Sequence, residues 1–249
     1  MSKKTKILIG VFVVFTLLSF LWFDLVFLKY NGESFEKELM RAGESSDVVI
    51  VFNSGGWGTV PFDQAFDFNS IINETKQLIE GKNYKVSIVQ YYRTKENFFA
   101  KIASLREILF NFPDSSKVFA DRIDEFLEKN PNDKIVMAGL SNGASFVDAV
   151  MNDLKDRENN VWAIELGAPF WKNNTKSENI VSFNNQADIL ANGRLGQILF
   201  SLIKTPFIWG YNNIIGNHIS ITQAMHVDGH DYYWQQIKDD VASFVDKEL

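Results

Sequence analysis

Cysteine is absent from the 249-residue chain. That excludes disulfides, a thiolate metal site and a cysteine nucleophile, but it fits any compartment. Histidine is scarce. His218, His226 and His230 are the whole supply, and their spacing matches no metal site. A histidine base, if there is one, must come from these three. Positive charge is the minority sign, with 25 Lys and Arg against 31 Asp and Glu. No basic cluster follows the N-terminus, so the concentrated positive surface that binds phosphate is missing, and nucleic acid is not an expected partner. The sequence carries no cofactor fingerprint, no internal repeat and no low-complexity tract, so neither a cofactor nor a metal is expected. What remains is a globular composition, 46% hydrophobic and 22% charged, long enough for one α/β domain with a substantial core.

The long hydrophobic runs concentrate at the start. Lys3, Lys4 and Lys6 precede an uncharged stretch from Ile7 to Phe23, which continues past Asp24 to Leu28. A spanning helix needs roughly 17–25 such residues, and Trp22, Phe23 and Tyr30 suit the headgroup boundary. Residues 1–30 therefore read as a membrane anchor, with Met1 cytoplasmic and the remainder outside the cytoplasm by the positive-inside rule. The alternative is a cleaved signal segment and a secreted product. Large residues at Phe27, Leu28 and Tyr30, where small ones would mark a cleavage site, favour the anchor. Residues 31–46 form a polar connector with room for one amphipathic helix.

From residue 47 to 249, β-branched runs alternate with helical periodicity. Strands are expected over Asp47–Phe52, Tyr84–Tyr91, Lys134–Ala138, Val161–Leu166 and Asn179–Phe183. Helices are expected over Ser70–Glu80, Glu96–Phe110, Ser115–Lys129 with Asp114 or Ser115 as cap, and Asp231–Lys247. Strands interleaved with helices imply a mainly parallel, doubly wound sheet.

Two glycine-rich segments stand out. Gly139-Leu140-Ser141-Asn142-Gly143 reads as G-x-S-x-G between a buried strand and a helix. That setting forces Ser141 into a sharp turn at a helix N-terminus and leaves the Asn142 N–H facing a developing oxyanion. Gly55, Gly56 and Gly58 lie in the loop Asn53–Thr59, which follows the first strand. The loop lacks the Gly-Lys-Ser/Thr ending of a phosphate cradle. Its glycines let backbone N–H groups approach a substrate, with Trp57 the first choice of donor and Gly56 the second. Asp188 follows the Ile180–Phe183 strand, where it suits either a helix cap or a carboxylate for a histidine. His230 lies just before the final helix, and His226 shares its loop. Glu165 and Asp148 are alternative carboxylates, and His218 suits an ordinary surface position.

Over roughly Asp47 to Leu249 the chain resembles the α/β-hydrolase superfamily, in its serine esterase or lipase-like branch. The resemblance implies an α/β-hydrolase fold and the chain order Ser, acid, His. Ser141 then answers to the nucleophile, Asp188 to the acid, His230 to the base, and Trp57 or Gly56 with Asn142 to the oxyanion hole. Two positions depart from the pattern. Gly55-Gly56 stands where His-Gly is usual, and Leu140 stands where many lipases have His before the nucleophile. An Asp at the nucleophile position, as in haloalkane- or epoxide-type relatives, is not present.

Residues 189–217 include a strongly apolar stretch from Leu195 to Tyr211. It reads as either a lid or acyl-binding wall near the membrane, or an ordinary core helix. The expected activity is membrane-anchored ester or thioester hydrolysis, on a small-molecule or lipid ester. The rival is a catalytically silent, membrane-tethered scaffold on the same fold.

Overall fold

β1 (Val48–Asn53), β2 (Val86–Gln90), β3 (Lys134–Leu140), β4 (Val161–Leu166) and β5 (Ile180–Phe183) pair side by side in the order β2-β1-β3-β4-β5. Every pairing is parallel. The computed structural model describes residues 5, 8, 10, 11, 14, 32–66, 68–96, 98–154, 159–172, 175, 177–219 and 229–249. The expected anchor, residues 1–30, lies almost wholly outside that set, as does His226. Among the described residues no helix is long and apolar enough to cross a membrane.

A parallel sheet needs both faces covered, and strands buried on both faces read as continuous apolar runs. β1, Val-Val-Ile-Val-Phe-Asn, is buried at every position. Alternate residues serve opposite layers. Val49, Val51, Ile135, Met137, Val161 and Ala163 pack with Phe35 and Leu39 of α1 (32–43), Phe119, Ile123 and Phe126 of α4 (Ser115–Lys129), and Phe146, Val147 and Val150 of α5 (Asn142–Asp153). Val48, Ile50, Phe52, Val136, Ala138 and Ile164 pack on the other side with Ile71, Ile72 and Ile79 of α2 (Asn69–Glu80) and Ile237, Val241 and Val245 of α7 (Trp234–Glu248). The connector thus supplies a helix, α1, whose apolar stripe closes the first layer.

One expected cap and one expected boundary are corrected, while α4 itself spans Ser115–Lys129 as expected. The N-terminus of α4 is not capped by Asp114, whose side chain makes no cap bond. Instead Glu107, near the end of α3 (Phe98–Leu109), accepts hydrogen bonds through Oε2 from the N–H groups of Asp114 (3.2 Å) and Ser115 (2.8 Å) and from the Ser115 hydroxyl (2.7 Å). A carboxylate at a helix N-terminus satisfies orphan donors and meets the positive end of the dipole. At the other end of the chain, α7 begins at Trp234 and not at Asp231. Residues 230–233 are not helical, and Tyr233 is extended. In extended chain, residues two apart share a side, so His230 and Tyr232 both reach the same partner.

α6 (Leu195–Ile214) is not the core helix that its composition allows. Among its described side chains, it buries Ser201 and Thr205 and exposes Phe200, Ile203, Phe207, Tyr211 and Ile214, with Phe207 74% exposed. Those five positions follow the three- and four-residue spacing of one helical face, so an apolar stripe of this helix is turned to the outside.

The tightest crossing joins α5 to the sheet. A β-carbon on Gly143 would overlap the Asn53 carbonyl oxygen and lie 2.8 Å from that of Ser54, and one on Gly139 would lie 2.5 Å from the Gly143 carbonyl. All these neighbours are backbone, which has little room to yield. Gly143→Ala is expected to destabilise the domain by about 3 kcal/mol, lowering Tm by about 6–12 °C. Thermal unfolding followed by circular dichroism checks this, and an unchanged Tm would contradict the crossing.

Candidate active site

The strand order places a topological switch between β1 and β3. From β1 the chain moves outward to β2, then returns to the other side for β3, β4 and β5. The carboxyl ends of the two strands adjoining such a switch border a crevice where ligands bind in open α/β sheets. Asn53 and Gly139 are register partners there. The loop after β1 and the turn after β3 therefore start side by side.

Ser141 occupies that turn with φ 57° and ψ −123°, a region that costs a residue with a β-carbon about 1–3 kcal/mol. Its backbone is held on two sides. The Ser141 N–H donates to Leu166 O at 2.8 Å, and the Ser141 carbonyl accepts from the Ser145 N–H at 3.1 Å. Because a trans peptide points its C=O and N–H in opposite directions, the second bond aims the Asn142 N–H out of the N-terminus of α5. The Ser141 hydroxyl takes no part in capping that helix. Among the described residues, the N–H groups of Gly56, Trp57 and Asn142 have no hydrogen-bond acceptor. A β-carbon on Gly55 would lie 3.6 Å from that of Ser141, so the loop after β1 runs directly beside the serine.

Asp188 lies in the loop following β5 and is fully buried. It serves the histidine, but it caps no helix: residues 189–193 form a turn, and α6 begins only at Leu195. Oδ1 accepts from the N–H groups of Leu190 (2.9 Å) and Ala191 (3.0 Å), fixing the turn. Oδ2 lies 2.7 Å from His230 Nδ1 and accepts the Tyr232 hydroxyl at 2.8 Å. Burial pushes the Asp188 carboxyl up, but the hydrogen bonds from His230, Ala191 and Tyr232 together with the His230 charge outweigh it, leaving the carboxyl below the ordinary range. A carboxylate at Nδ1 fixes the imidazole as the tautomer with its proton on that nitrogen. Nε2 is then the basic nitrogen, and it is buried without a hydrogen-bond partner among the described residues.

The histidine reaches the serine's end of the sheet through two close approaches. Gly229 has φ +74°, and a β-carbon there would overlap the Ala187 carbonyl, so the loop before His230 lies flat against the Asp188 turn. A β-carbon on Gly167, the residue after the Leu166 that holds Ser141, would lie 2.9 Å from His230 Cε1. Ser141, Asp188 and His230 thus all lie at the carboxyl end of the sheet, with no hydrogen bond between Ser141 and His230 Nε2.

The competing carboxylates lie elsewhere. Glu165 is buried inside β4. Its Oε2 accepts the Ser182 hydroxyl at 2.8 Å, and burial, reinforced by the nearby Asp148, raises its carboxyl to about 8. Asp148 on α5 accepts the Thr175 N–H at 2.6 Å. Neither bonds to His230. His218 lies exposed beyond α6. No group of three or more metal-ligating side chains occurs among the described residues.

Sequence reasoning passed over Tyr232 and Arg93. The i, i+2 relation to His230 in a non-helical segment was the available signal for Tyr232. Arg93 follows β2 in Gln90-Tyr91-Tyr92-Arg93, and nothing in that run announces its role. It is buried, and its guanidinium donates to three backbone carbonyls around Ser141: Ser54 (2.5 Å), Gly56 (3.2 Å) and Asn142 (2.6 Å).

No family model matches the chain, and no curated protein resembles it in sequence at a significant level. Solved structures do resemble it. One is the cutinase of Trichoderma reesei in complex with a C11Y4 phosphonate inhibitor, at 13% identity and a TM-score of 0.51, covering 90% of this chain and 89% of the cutinase. The likeness is one of fold, a parallel α/β sheet with helices on both faces.

Asp188 and Glu165 should leave opposite signatures in stability against pH. The Asp188 folded pKa lies below its unfolded value near ~3.9. Its contribution is complete above the unfolded value and is lost as pH falls through the folded one. Asp188→Asn should therefore be about 2–4 kcal/mol less stable than the parent at pH 7, with the gap closing toward pH 3. The Glu165 folded value, about 8, lies above its unfolded one. The folded protein then keeps a proton that the unfolded chain releases, and stability declines as pH rises from roughly 5 to 8. Glu165→Gln should gain stability relative to the parent across that window, by on the order of 3 kcal/mol. Urea unfolding at pH 3, 5, 7 and 8 reads both, and parallel curves for parent and variant would refute the assignment.

Proposed function

We propose that the protein is a membrane-anchored serine hydrolase that cleaves an ester or thioester, in a lipid or other acyl ester, through an acyl-enzyme on Ser141. The observation that carries this reading is the buried Asp188–His230 pair, at 2.7 Å, at the same carboxyl end of the sheet as a serine in a strained strand-to-helix turn. Serine, acid and histidine also follow one another in the chain order of α/β-hydrolases.

In the proposed mechanism the unpartnered Nε2 of His230 takes the Ser141 proton as the oxygen attacks the acyl carbon. The carbonyl oxygen becomes an oxyanion and is received by the Asn142 N–H and by Trp57 or Gly56 N–H. Each such donor is worth roughly 10²–10³ in rate in a pre-organised site. Asp188 stays ionised and stabilises the imidazolium. Collapse breaks the bond to the leaving alcohol or thiol, which receives the proton from Nε2. Water then attacks the acyl-enzyme with His230 again as base, releasing the acid and regenerating Ser141. The cutinase likeness supports the reading, since a phosphonate such as the one bound there imitates a tetrahedral acyl intermediate.

Two features favour an acyl or lipid substrate at a membrane. The uncharged run Ile7–Phe23 supplies the anchor. α6, which follows Asp188 in the chain, presents Phe200, Ile203, Phe207, Tyr211 and Ile214 outward while burying Ser201 and Thr205, an arrangement that suits hydrocarbon on its outer side. We place the domain outside the cytoplasm on the strength of the N-terminal lysines.

A fluorophosphonate probe should label the wild type and fail to label Ser141→Ala or His230→Ala, and p-nitrophenyl esters of increasing acyl length should be hydrolysed with a chain-length preference. Phe207→Ser with Trp209→Ser should shift that preference without loss of folding. A well-folded wild type that neither labels nor turns over any ester would favour the silent scaffold instead.

A further inference from the structure

Arg93 carries a full charge into the interior with no carboxylate paired to it among the described residues. Burial lowers its guanidinium to about 9, which still leaves it charged near neutrality. The rings of Phe112 and Phe146 flank it at 5.4 and 5.7 Å. Its hydrogen bonds go to backbone carbonyls alone. Nη2 serves Ser54 and Gly56, and Nη1 serves Asn142. The loop after β1 is shaped around this side chain. The Arg93 N–H donates to Gly58 O at 3.1 Å, and a β-carbon on Gly58, whose φ is +72°, would overlap Arg93 Nε and lie 2.8 Å from its Cβ.

An uncompensated buried cation is unfavourable for folding, and an apolar side chain would fill the space between two phenylalanines at less expense. The carbonyls it selects give it a use. Gly56 C=O belongs to the peptide that carries the Trp57 N–H, Ser54 C=O to the peptide that carries the Gly55 N–H, and Asn142 is the first residue of α5. We propose that Arg93 is a positioning residue for the oxyanion hole, clamping the loop after β1 to the N-terminus of α5 so that the backbone N–H donors from both face one point. The clamp works in two ways. Fixing the Gly56 carbonyl toward the guanidinium fixes the direction of the Trp57 N–H on the opposite side of the same planar peptide. A carbonyl that accepts a charged hydrogen bond also polarises its amide, which makes the N–H a stronger donor. Arg93 touches neither substrate nor serine side chain; it acts through the peptides it holds. The proposal rests on the serine-hydrolase reading given above.

Arg93→Met and Arg93→Lys test it, with kinetics expressed per site titrated by the fluorophosphonate, so that unfolded molecules do not count. Arg93→Met should lower kcat about 10²-fold while KM for a p-nitrophenyl ester stays within about threefold, because the donors act on the transition state more than on the bound ester. Arg93→Lys keeps the charge but cannot hold three carbonyls with a fork, and it should lose about tenfold. If Arg93→Met does not fold, the lysine variant carries the test alone. Millimolar guanidinium should restore part of kcat to Arg93→Ala, and methylammonium should not. A role in stability alone predicts the reverse pattern: Tm falls and kcat per titrated site stays within about twofold of wild type, which would overturn the proposal. A wild type that neither labels nor turns over would instead overturn the hydrolase reading itself, and this proposal with it.

Discussion

The approach of α5 to the carboxyl ends of β1 and β3 is the constraint on which the rest of the structure depends. Gly143 meets the Asn53 and Ser54 carbonyls with no space for a β-carbon, and Gly139 meets Gly143 in the same way. A strand can turn into a helix this abruptly only if the residue between them accepts a positive φ. That residue is Ser141. Its strain is therefore a consequence of the sheet and helix packing as closely as they do, with the apolar layers on both faces supplying the energy that holds them together. The same geometry turns the first N–H of α5 outward and brings the Gly55–Gly58 loop alongside, so one packing arrangement produces the serine turn and the donor cluster together.

Asp188 is the most fully used buried polar group at the carboxyl end of the sheet. Asp188 fills four acceptor positions, two for its own turn and two for His230 and Tyr232. An acid that also pins its own loop cannot drift from its histidine without unfolding that loop, so precision at Nδ1 is inherited from local structure. Removing the carboxylate would then disturb placement as well as charge. By contrast, His230 Nε2 and Arg93 Nε are buried without partners among the described residues, as are Asn53 Oδ1, Ser54 Oγ, Asn142 Oδ1 and Ser145 Oγ around the serine turn. A buried polar atom without a partner ordinarily costs about 1–3 kcal/mol. In Nε2 the unmet bond lies on the atom that a proton-transfer step needs. In Arg93 it accompanies three bonds to the Ser54, Gly56 and Asn142 carbonyls, which tie the loop after β1 to the start of α5.

The fold was legible because its signals are local and redundant. Val48–Phe52, Ile135–Ala138 and Val161–Leu166 are apolar on both faces, as a parallel sheet requires, and the helices that cover them carry apolar stripes. Ser141 was legible for the same reason, as its glycines mark a backbone crossing that few other structures need. Asp188 and His230 were legible only through chain order, and the structure shows why nothing more local could serve. They stand 42 residues apart in the chain, and their meeting depends on Gly229 lying flat against Ala187. The ends of α4 were legible but its capping group was not, because Glu107 of the preceding helix serves those donors; the start of α7 was misread because His230 and Tyr232 lie in a non-helical segment before it. Arg93 was illegible because its partners are carbonyls, which every residue has and no sequence advertises.

α6 breaks the rule that made the rest readable. Its composition says core, yet its helical phase turns Ser201 and Thr205 inward and an aromatic-rich stripe outward. Burying the five large apolar groups of that stripe would be worth roughly 1.5–3 kcal/mol each. Those described side chains face outward, whereas α2, α4 and α7 each turn an apolar stripe to the sheet. The chain that places an uncharged run at residues 7–23 and an outward apolar stripe soon after its buried acid has two segments suited to hydrocarbon, at opposite ends of its sequence.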